Sequence, residues 1–471
     1  MDRQSKKKKI AELRQMVDHM SERMIDKHSP SQPAVIEKAT APEQLPKSHQ
    51  LKPKLQKPEQ VPHRAAGDHS HAPQPLREIL SGTESETEEG TVFFSEDIFP
   101  IHMFHGTRAL HEALDVSPDT LQILTGDDTI HALDIRRTVF IDTETTGLSR
   151  STGTFVFLVG CGFFQDEEFI IRQYFMHRYE DELALIIQLE RELRAYTSII
   201  SFNGKQFDVP LLKNRFLLNN MLFPLARKPH LDLLHCARSL WKARLRWCNL
   251  AHLEYRLLGF ERQDDVPGSE IPLLYTQYLH DGDGHPIKKI FHHNQLDILS
   301  MVTLLGTINH YFASDNFRQE LNPCDLYSLG NIYRNRSLHD EAISLYRQGL
   351  DKSPEPEIEY KLLKATAGLH KRSANFAQAQ SCWERMILLG LDFEPYPYEE
   401  LAKYQEHIRK NFEQAAAICR SALEKMAQHQ YGSYKGSFPR LKDQFLYRLN
   451  RLNRKMKSRP QHNSSLRSIK S

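Results

Sequence analysis

TVFIDTETTGL, residues 138–148, is the stretch on which the fold turns. Val139, Phe140 and Ile141 make an apolar run, and the carboxylates Asp142 and Glu144 emerge from it two residues apart. Two more β-branched and aromatic runs follow, TFVFLVGCGFF at 154–164 and EFIIRQYF at 168–175, divided by short polar turns. Three such runs in succession predict a meander of antiparallel strands. The period then changes, with Leu183, Ile186, Ile187 and Leu189 marking a helix over 181–196. SIISFN, 198–203, reads as a buried strand, and helical patterns follow near 208–220, 233–243, 249–258 and 294–310. A meander leading into alternating helix and strand predicts an α/β unit, a mixed sheet with helices on its faces.

Toward the N-terminus, apolar patterning begins only at Thr91. Residues 1–90 are rich in Lys, Pro, Gln, Ser and His and nearly lack aromatics. Such a segment cannot bury enough apolar surface to offset its chain entropy. It is expected to be a disordered polar tail, closed by the acidic run from Glu84 to Glu89, with a transient helix in its first 25 residues. The α/β unit is assigned to 91–315.

Past residue 320 the strand signal disappears. Leu326, Leu329, Gly330, Tyr333, Ala342, Tyr346, Gly349 and Pro354 fall on the spacing of a tetratricopeptide repeat of about 34 residues. Small residues there let two helices approach, and large ones fill the groove between them. A second copy fits Leu363, Ala367, Ala379 and Trp383, and a third, weaker one ends in NFEQAAAICRSAL, 411–423. Residues 320–430 are therefore expected to form an all-α repeat solenoid. Residues 431–471 are read as a basic capping helix and tail, because Leu441, Phe445, Leu449 and Leu452 recur at helical spacing and a terminal repeat needs a lid.

A formal net charge of +2 over 471 residues does not by itself mark a nucleic-acid binder. Six cysteines without a CxxC pair argue against a zinc site or disulfide framework and suit a reducing compartment. No apolar stretch approaches the roughly 18 residues of a membrane helix. The lysine-rich start lacks a signal peptide's apolar core. A soluble cytoplasmic protein is the expectation.

Three elements carry the candidate chemistry. Asp142 and Glu144, at i and i+2, project from one face of a strand, where they repel each other unless a cation lies between them. In SFNGKQFDVPLL, 201–212, Asp208 stands where a helix begins, and Asn203 and Lys205 suit a nucleic-acid backbone as donor and cation. In FHHNQLDILSMVTLL, 291–305, Asp297 sits on a strongly apolar helix, four residues after His293 and five after His292. Each element has an ordinary reading too: solvated carboxylates, a helix cap, a core-edge Asp with a capping His. The run CARSLWKARLRWCNL, 236–250, sets Arg238, Lys242, Arg244 and Arg246 beside Trp241 and Trp247, which suits stacked bases and phosphates. It equally suits an amphipathic helix with buried Trp and snorkelling Arg.

In order and context, strand–DxE, strand–loop–Asp and His–Asp on a late helix resemble the DEDD 3′–5′ exonuclease superfamily of the ribonuclease H-like fold. IDTETTGL, FNGKQFD, DDVPGSEIP and HHNQLD further resemble bacterial YprB-type proteins, which join such a domain to C-terminal tetratricopeptide repeats. The resemblance covers about two thirds of the chain. It implies a nuclease with four metal-binding acids, Asp142, Glu144, Asp208 and Asp297. Asp142 would bridge two ions, Glu144 and Asp297 would complete one position, and Asp208 would hold the other largely through water. Carboxylates select hard ions, so Mg²⁺ or Mn²⁺ is expected. The resemblance also implies a general base near the last acid. A His five residues before it points to His292, although His293 occupies the position of the Tyr used in another branch. Thr145, Asn203, Lys205, Arg244 and Arg246 are the candidate substrate contacts. Asp232 and the DDVPGSEIP loop match the family without an assignable role.

The expected substrate is DNA or RNA, single-stranded or at an end. An endonuclease on the same fold would use the same chemistry. A contrasting reading is a scaffold that works through its repeats, whose concave face suits a protein partner. Retention of all four acids disfavours a dead site.

Overall fold

The computed structural model describes residues 73–147, 153–312, 320–391, 393–428 and 438–458. Most of the expected tail, residues 1–72, lies outside the described residues, as does the C-terminal end beyond 458.

The strands are β1 (Thr83–Thr87), β2 (Gly90–Pro100), β3 (Phe104–His105), β4 (Arg108–Ala109), β5 (Thr138–Thr145), β6 (Val156–Gln165), β7 (Glu168–Met176), β8 (Ser198–Ser201) and β9 (His230–Asp232). Among the described residues, seven of them form one mixed sheet in the order β1-β2-β7-β6-β5-β8-β9, and β3 pairs with β4. The meander is present: β5–β6 and β6–β7 are antiparallel, whereas β8 runs parallel to both β5 and β9. The folded unit begins at the short helix α1 (Leu76–Ile79) rather than at Thr91. Leu76 is buried in the core, and β1, inside the acidic run assigned to the tail, pairs with β2. An edge strand is held by its backbone, so TESET carries no apolar signal to betray it.

The helices of this part are α2 (Pro118–Thr125), α3 (Glu182–Leu193), α4 (Asp208–Leu218), α5 (Leu233–Trp241), α6 (Leu250–Leu253), α7 (Ile271–Asp281) and α8 (Gly284–Phe312). Residues alternate in β5, and the two faces go to different cores. Val139 and Ile141 pack with Leu185 and Leu189 of α3 and Leu212 and Phe216 of α4. Phe140 packs with Ile298, Leu299 and Val302 of α8. Gly160 and Gly162 of β6 bring α8 down onto the sheet. A Cβ on Gly160 would stand 2.1 Å from Asn294 Oδ1, and one on Gly162 would stand 2.4 Å from Ile298 Cγ2.

Among the described residues, three helical hairpins follow. They are α9 (Pro323–Asn335) with α10 (His339–Asp351), α11 (Pro356–Arg372) with α12 (Phe376–Leu388), and α13 (Pro395–His407) with α14 (Phe412–Gln428). The last described helix is α15 (Phe438–Lys457). Gly330 presses against the buried Tyr346 ring, where a Cβ would stand 2.4 Å away, and Gly349 abuts Leu362. On α15, Phe445 and Leu452 are buried against the last hairpin's core, with Leu441 and Leu449 partly so. No helix among the described residues is long and apolar enough to cross a membrane.

Candidate active site

Asp142 and Glu144 stand at the carboxyl end of β5 on the face of Phe140, the face that α8 covers. β8 pairs with β5 only through Phe140 and then parts from it. The register of β5 on β6 slips between Glu144 and Thr145, and such irregularities re-aim side chains next to active sites. Thr143 faces the other way and donates its hydroxyl to Asp208 Oδ1. Asp208 opens α4 but does not cap it, since Phe207 holds the N-cap position. An acid from the helix on one face is thereby tied to the strand whose own acids look to the other.

Asp232 supports that arrangement. Its buried carboxylate accepts the backbone N–H groups of Asn203 (2.8 Å), Lys205 (3.0 Å) and Leu234 (3.1 Å). It therefore caps α5 and holds the loop that delivers Asp208. Asn203 is in the left-handed region, φ 67°, and Gly204 packs on Ser201 with Asp208 Oδ2 close by.

α8 supplies the remaining groups. Asn294, wholly buried, donates from Nδ2 to Asp142 Oδ2 at 2.8 Å. Gln173 of β7 fixes that amide by donating from Nε2 to Asn294 Oδ1 and to the Phe291 carbonyl, both at 2.8 Å. Asp297 Oδ2 and Glu144 Oε1 lie 3.9 and 4.0 Å from His293 Nε2. Asp265 accepts from His293 Nδ1 at 2.9 Å. Asp265 is held at about 2: burial opposes its charge, but His293 and Arg262 outweigh that. It is therefore a carboxylate that can only accept, so Nδ1 carries the hydrogen and Nε2 is left facing the two acids.

The acids crowd one another. Burial, and then the charges of Asp297, Glu144 and Asp208, push Asp142 well above the usual carboxylate range. Glu144 rises to about 8 through burial and the charges of Asp297, Asp208 and Asp265, with His293 opposing. Burial lifts Asp208 to about 6 against the Thr143 hydrogen bond. Burial alone would lower His293. The Asp265 hydrogen bond and the charges of Asp297, Glu144 and Asp265 raise it instead to about 9.

These shifts test whether a divalent cation suits the site. Asp142 and Asp208 are hydrogen-bonded by neutral donors, Asn294 and Thr143. Buried carboxylates without adjacent compensation are the donor set a hard cation relieves. Yet among the described residues no group of three or more His, Cys, Asp or Glu stands ready to hold a metal ion. Asp297 shows why: its Oδ1 accepts from the Arg262 guanidinium. Asp142, Glu144 and Asp208 fit a cation, while Asp297 is turned to an internal one.

Several expectations need correcting. His292 was favoured as the base on the premise of a loop just before the helix. α8 starts at Gly284, so both histidines are helical. At 3.6 residues per turn, His293 falls within roughly 40° of Asp297 and His292 roughly 140° away. His292 is exposed and His293 half-buried, facing the acids. Arg244 is not free for substrate, since its Nε donates to Asp325 Oδ1 at 2.9 Å and its Nη2 reaches the Tyr311 hydroxyl. Trp241 is a core residue, 0% exposed, whereas Trp247 is exposed with the Arg246 guanidinium 4.5 Å above its ring. Lys205 is exposed, and the Thr145 hydroxyl bonds the Gly147 carbonyl. Sequence reasoning missed Thr143, Gln173, Glu254, Arg262 and Asn294. Asn294 lay inside the HHNQLD motif and Asp265 inside DDVPGSEIP, and only spacing to the acids hinted at either.

Comparison with known proteins agrees with this architecture. A ribonuclease H superfamily model matches residues 139–309, which run from β5 through the acid-bearing part of α8. The protein YprB of Bacillus subtilis (strain 168), itself described as uncharacterized, is 30% identical over 290 residues, 61% of this chain and 69% of that protein. The fold implies a nucleic-acid substrate, and nucleases built on it generally use divalent metal ions. The chain belongs to the ribonuclease H superfamily, in the family of that Bacillus subtilis protein.

Proposed function

We propose that this chain is a metal-dependent phosphodiester hydrolase of the DEDD type, a 3′–5′ exonuclease by the resemblance of its motifs. The observation that carries the reading is the convergence of four acids from three separate elements. Asp142 and Glu144 of β5, Asp208 of α4 and Asp297 of α8 are close enough for Asp142 to sense the charge of each of the others. Folding a chain around mutually repelling buried carboxylates is costly. A site that handles cations supplies the reason.

Asp142, Glu144, Asp208 and Asp297 would hold the ions, Mg²⁺ or Mn²⁺. When bound, two such ions supply an activated water and offset charge on the leaving oxygen. The protein's own groups do the rest. Gln173 and Asn294 aim Asp142, and Thr143 aims Asp208. Asp265 fixes the His293 ring so that Nε2 faces Glu144 and Asp297, the place from which it takes the proton of the attacking water. Neutralising Glu144 and Asp297 removes two of the charges that keep His293 protonated, which frees Nε2 to act as a base. Substrate contacts narrow to Thr145, Asn203, Lys205 and Arg246, with Trp247 beside Arg246 as a stacking surface. The three helical hairpins support a tetratricopeptide-like solenoid capped by α15, open to a protein partner.

The test is degradation of end-labelled DNA and RNA strands with Mg²⁺ or Mn²⁺. We expect loss of label in the presence of metal and none with Asp142→Ala. Shortening from the 3′ end with circular substrates intact supports the exonuclease reading. Hydrolysis that survives Asp142→Ala, or no hydrolysis of any strand, returns the chain to the scaffold reading.

A further inference from the structure

Arg262 lies between α6 and α7, in a stretch that sequence reasoning left without a role. Its side chain is only 10% exposed and is ringed by carboxylates. Nε donates to Glu254 Oε2 at 2.7 Å and Nη2 to Glu254 Oε1 at 2.5 Å, a two-point grip on a wholly buried acid. Nη1 donates to Asp265 Oδ2 at 3.0 Å, and Nη2 also donates to Asp297 Oδ1. Glu254 itself opens a π-turn, Glu254–Leu258, at the end of α6. Such turns are rare and recur at functional sites. This is no flexible surface arginine that drifted onto an acid, because Glu254 and Asp265 fix the guanidinium whatever Asp297 does.

We propose that Arg262 is a resident counter-cation that divides the acid cage into two unequal cation positions. The inference rests on the metal-dependent reading above. One position is open and bounded by Asp142, Glu144 and Asp208, whose hydrogen bonds from Asn294 and Thr143 are neutral. The other, at Asp297, is already served by the guanidinium. A guanidinium and a divalent ion cannot share one carboxylate oxygen, and a second cation arriving there meets like charge at close range. The protein without nucleic acid therefore takes up one divalent ion readily and a second only weakly. An anionic phosphate, for which a guanidinium has a matching fork of donors, is what draws Arg262 off Asp297 and completes the site.

The test is calorimetric titration of the full chain with Mn²⁺ alone, with no nucleic acid present. Wild type is expected to bind one ion, with the second at least about tenfold weaker. Arg262→Met combined with Glu254→Gln removes a buried pair together, so no unpaired charge is left in the core, and net charge is unchanged. That variant is expected to bind two ions with affinities within about tenfold of each other. Glu254→Gln alone keeps the guanidinium and is expected to stay at one ion. Two equal ions in wild type overturn the proposal without the help of any variant. So does a wild-type isotherm from the double variant. Asp142→Ala separates the parent reading: loss of the strong ion supports it, and an unchanged isotherm sinks the metal site itself.

Discussion

A helix has no spare degrees of freedom once its start is known, and that settles which histidine meets the acids. His293→Ala is expected to lower nuclease turnover by about 10²–10⁴-fold, the range for loss of a positioned proton acceptor, while His292→Ala leaves it near wild type. Equal losses in single-turnover assays of the two variants would remove His293 from its role. Asn294→Ala leaves the Asp142 carboxylate and the Gln173 amide without their shared partner. We expect Mn²⁺ affinity to fall about 10–100-fold, as it does when a group supporting a ligand is lost, with the far-ultraviolet spectrum unchanged. A wild-type isotherm would make Asn294 purely a packing residue. The four acids were legible because DxE at a strand end, Asp after a Gly loop and Asp on an apolar helix are each local oddities. Asn294, Gln173 and Arg262 were not legible. Their meaning lies in partners at sequence distances no period encodes: Gln173 and Asn294 belong to different elements that only the glycines of β6 bring together.

Elements announced themselves where burial has a period. β5, β6 and β7 alternate or run apolar and were readable, as was α3. β1 was hidden because an edge strand needs only its backbone. The first turns of α8 were hidden because Gly284, His285 and Pro286 read as a loop. α15 was readable as a cap by its apolar stripe, but its basic face has a use that spacing did not reveal. Arg448, Arg451 and Lys455 all reach the buried Glu406 of α13, at 2.7, 2.6 and 2.8 Å. Burial opposes the charge on Glu406, yet the hydrogen bonds from Lys455 and Arg451 outweigh it and hold the group at about 2, below its ordinary 4.5. A carboxyl with a depressed folded pKa adds stability above its unfolded value and loses it as pH falls through the folded one. Docking of α15 should therefore hold from neutral pH to about 4.5 and weaken progressively toward about 2. Hydrogen exchange in α15 should rise in that window ahead of the sheet. Glu406→Gln should show rapid exchange in α15 already at pH 7. Protection of α15 that is flat across the window in wild type would count against the ion-pair lock.

At the scale of the whole molecule, the boundary drawn near residue 320 from the change of pattern is not where the core ends. One apolar cluster runs from Phe140 and Ile171 of the sheet through Leu304 of α8 into Leu326 and Leu329 of α9, Tyr346 of α10 and Leu362 of α11. A separate cluster takes over on the other face of α11, with Leu363 and Ala367, and continues to Leu452 of α15. Polar contacts pin the same junction. Asp325 of α9, 2% exposed, binds both Arg244 and Tyr311. Arg336 donates to the carbonyls of Ile123 and Leu124 at the end of α2, where a cation suits the carboxyl end of a helix. None of this was legible, because periodicity says which face of a helix is apolar and not what covers it. Arg244 was for that reason read as a substrate contact. The first hairpin and α11 should thus unfold with the nuclease domain, and the later hairpins separately. A chain ended after Arg372 should melt cooperatively, with its nuclease transition close to that of the full chain. A chain ended at residue 320 exposes the apolar side of α8 and leaves Arg244 without Asp325, so it should melt lower or precipitate. Calorimetry of the two truncations decides the matter. If the shorter chain keeps the full-length nuclease transition, the repeats are an appendage and the continuous core contributes nothing to holding the active site.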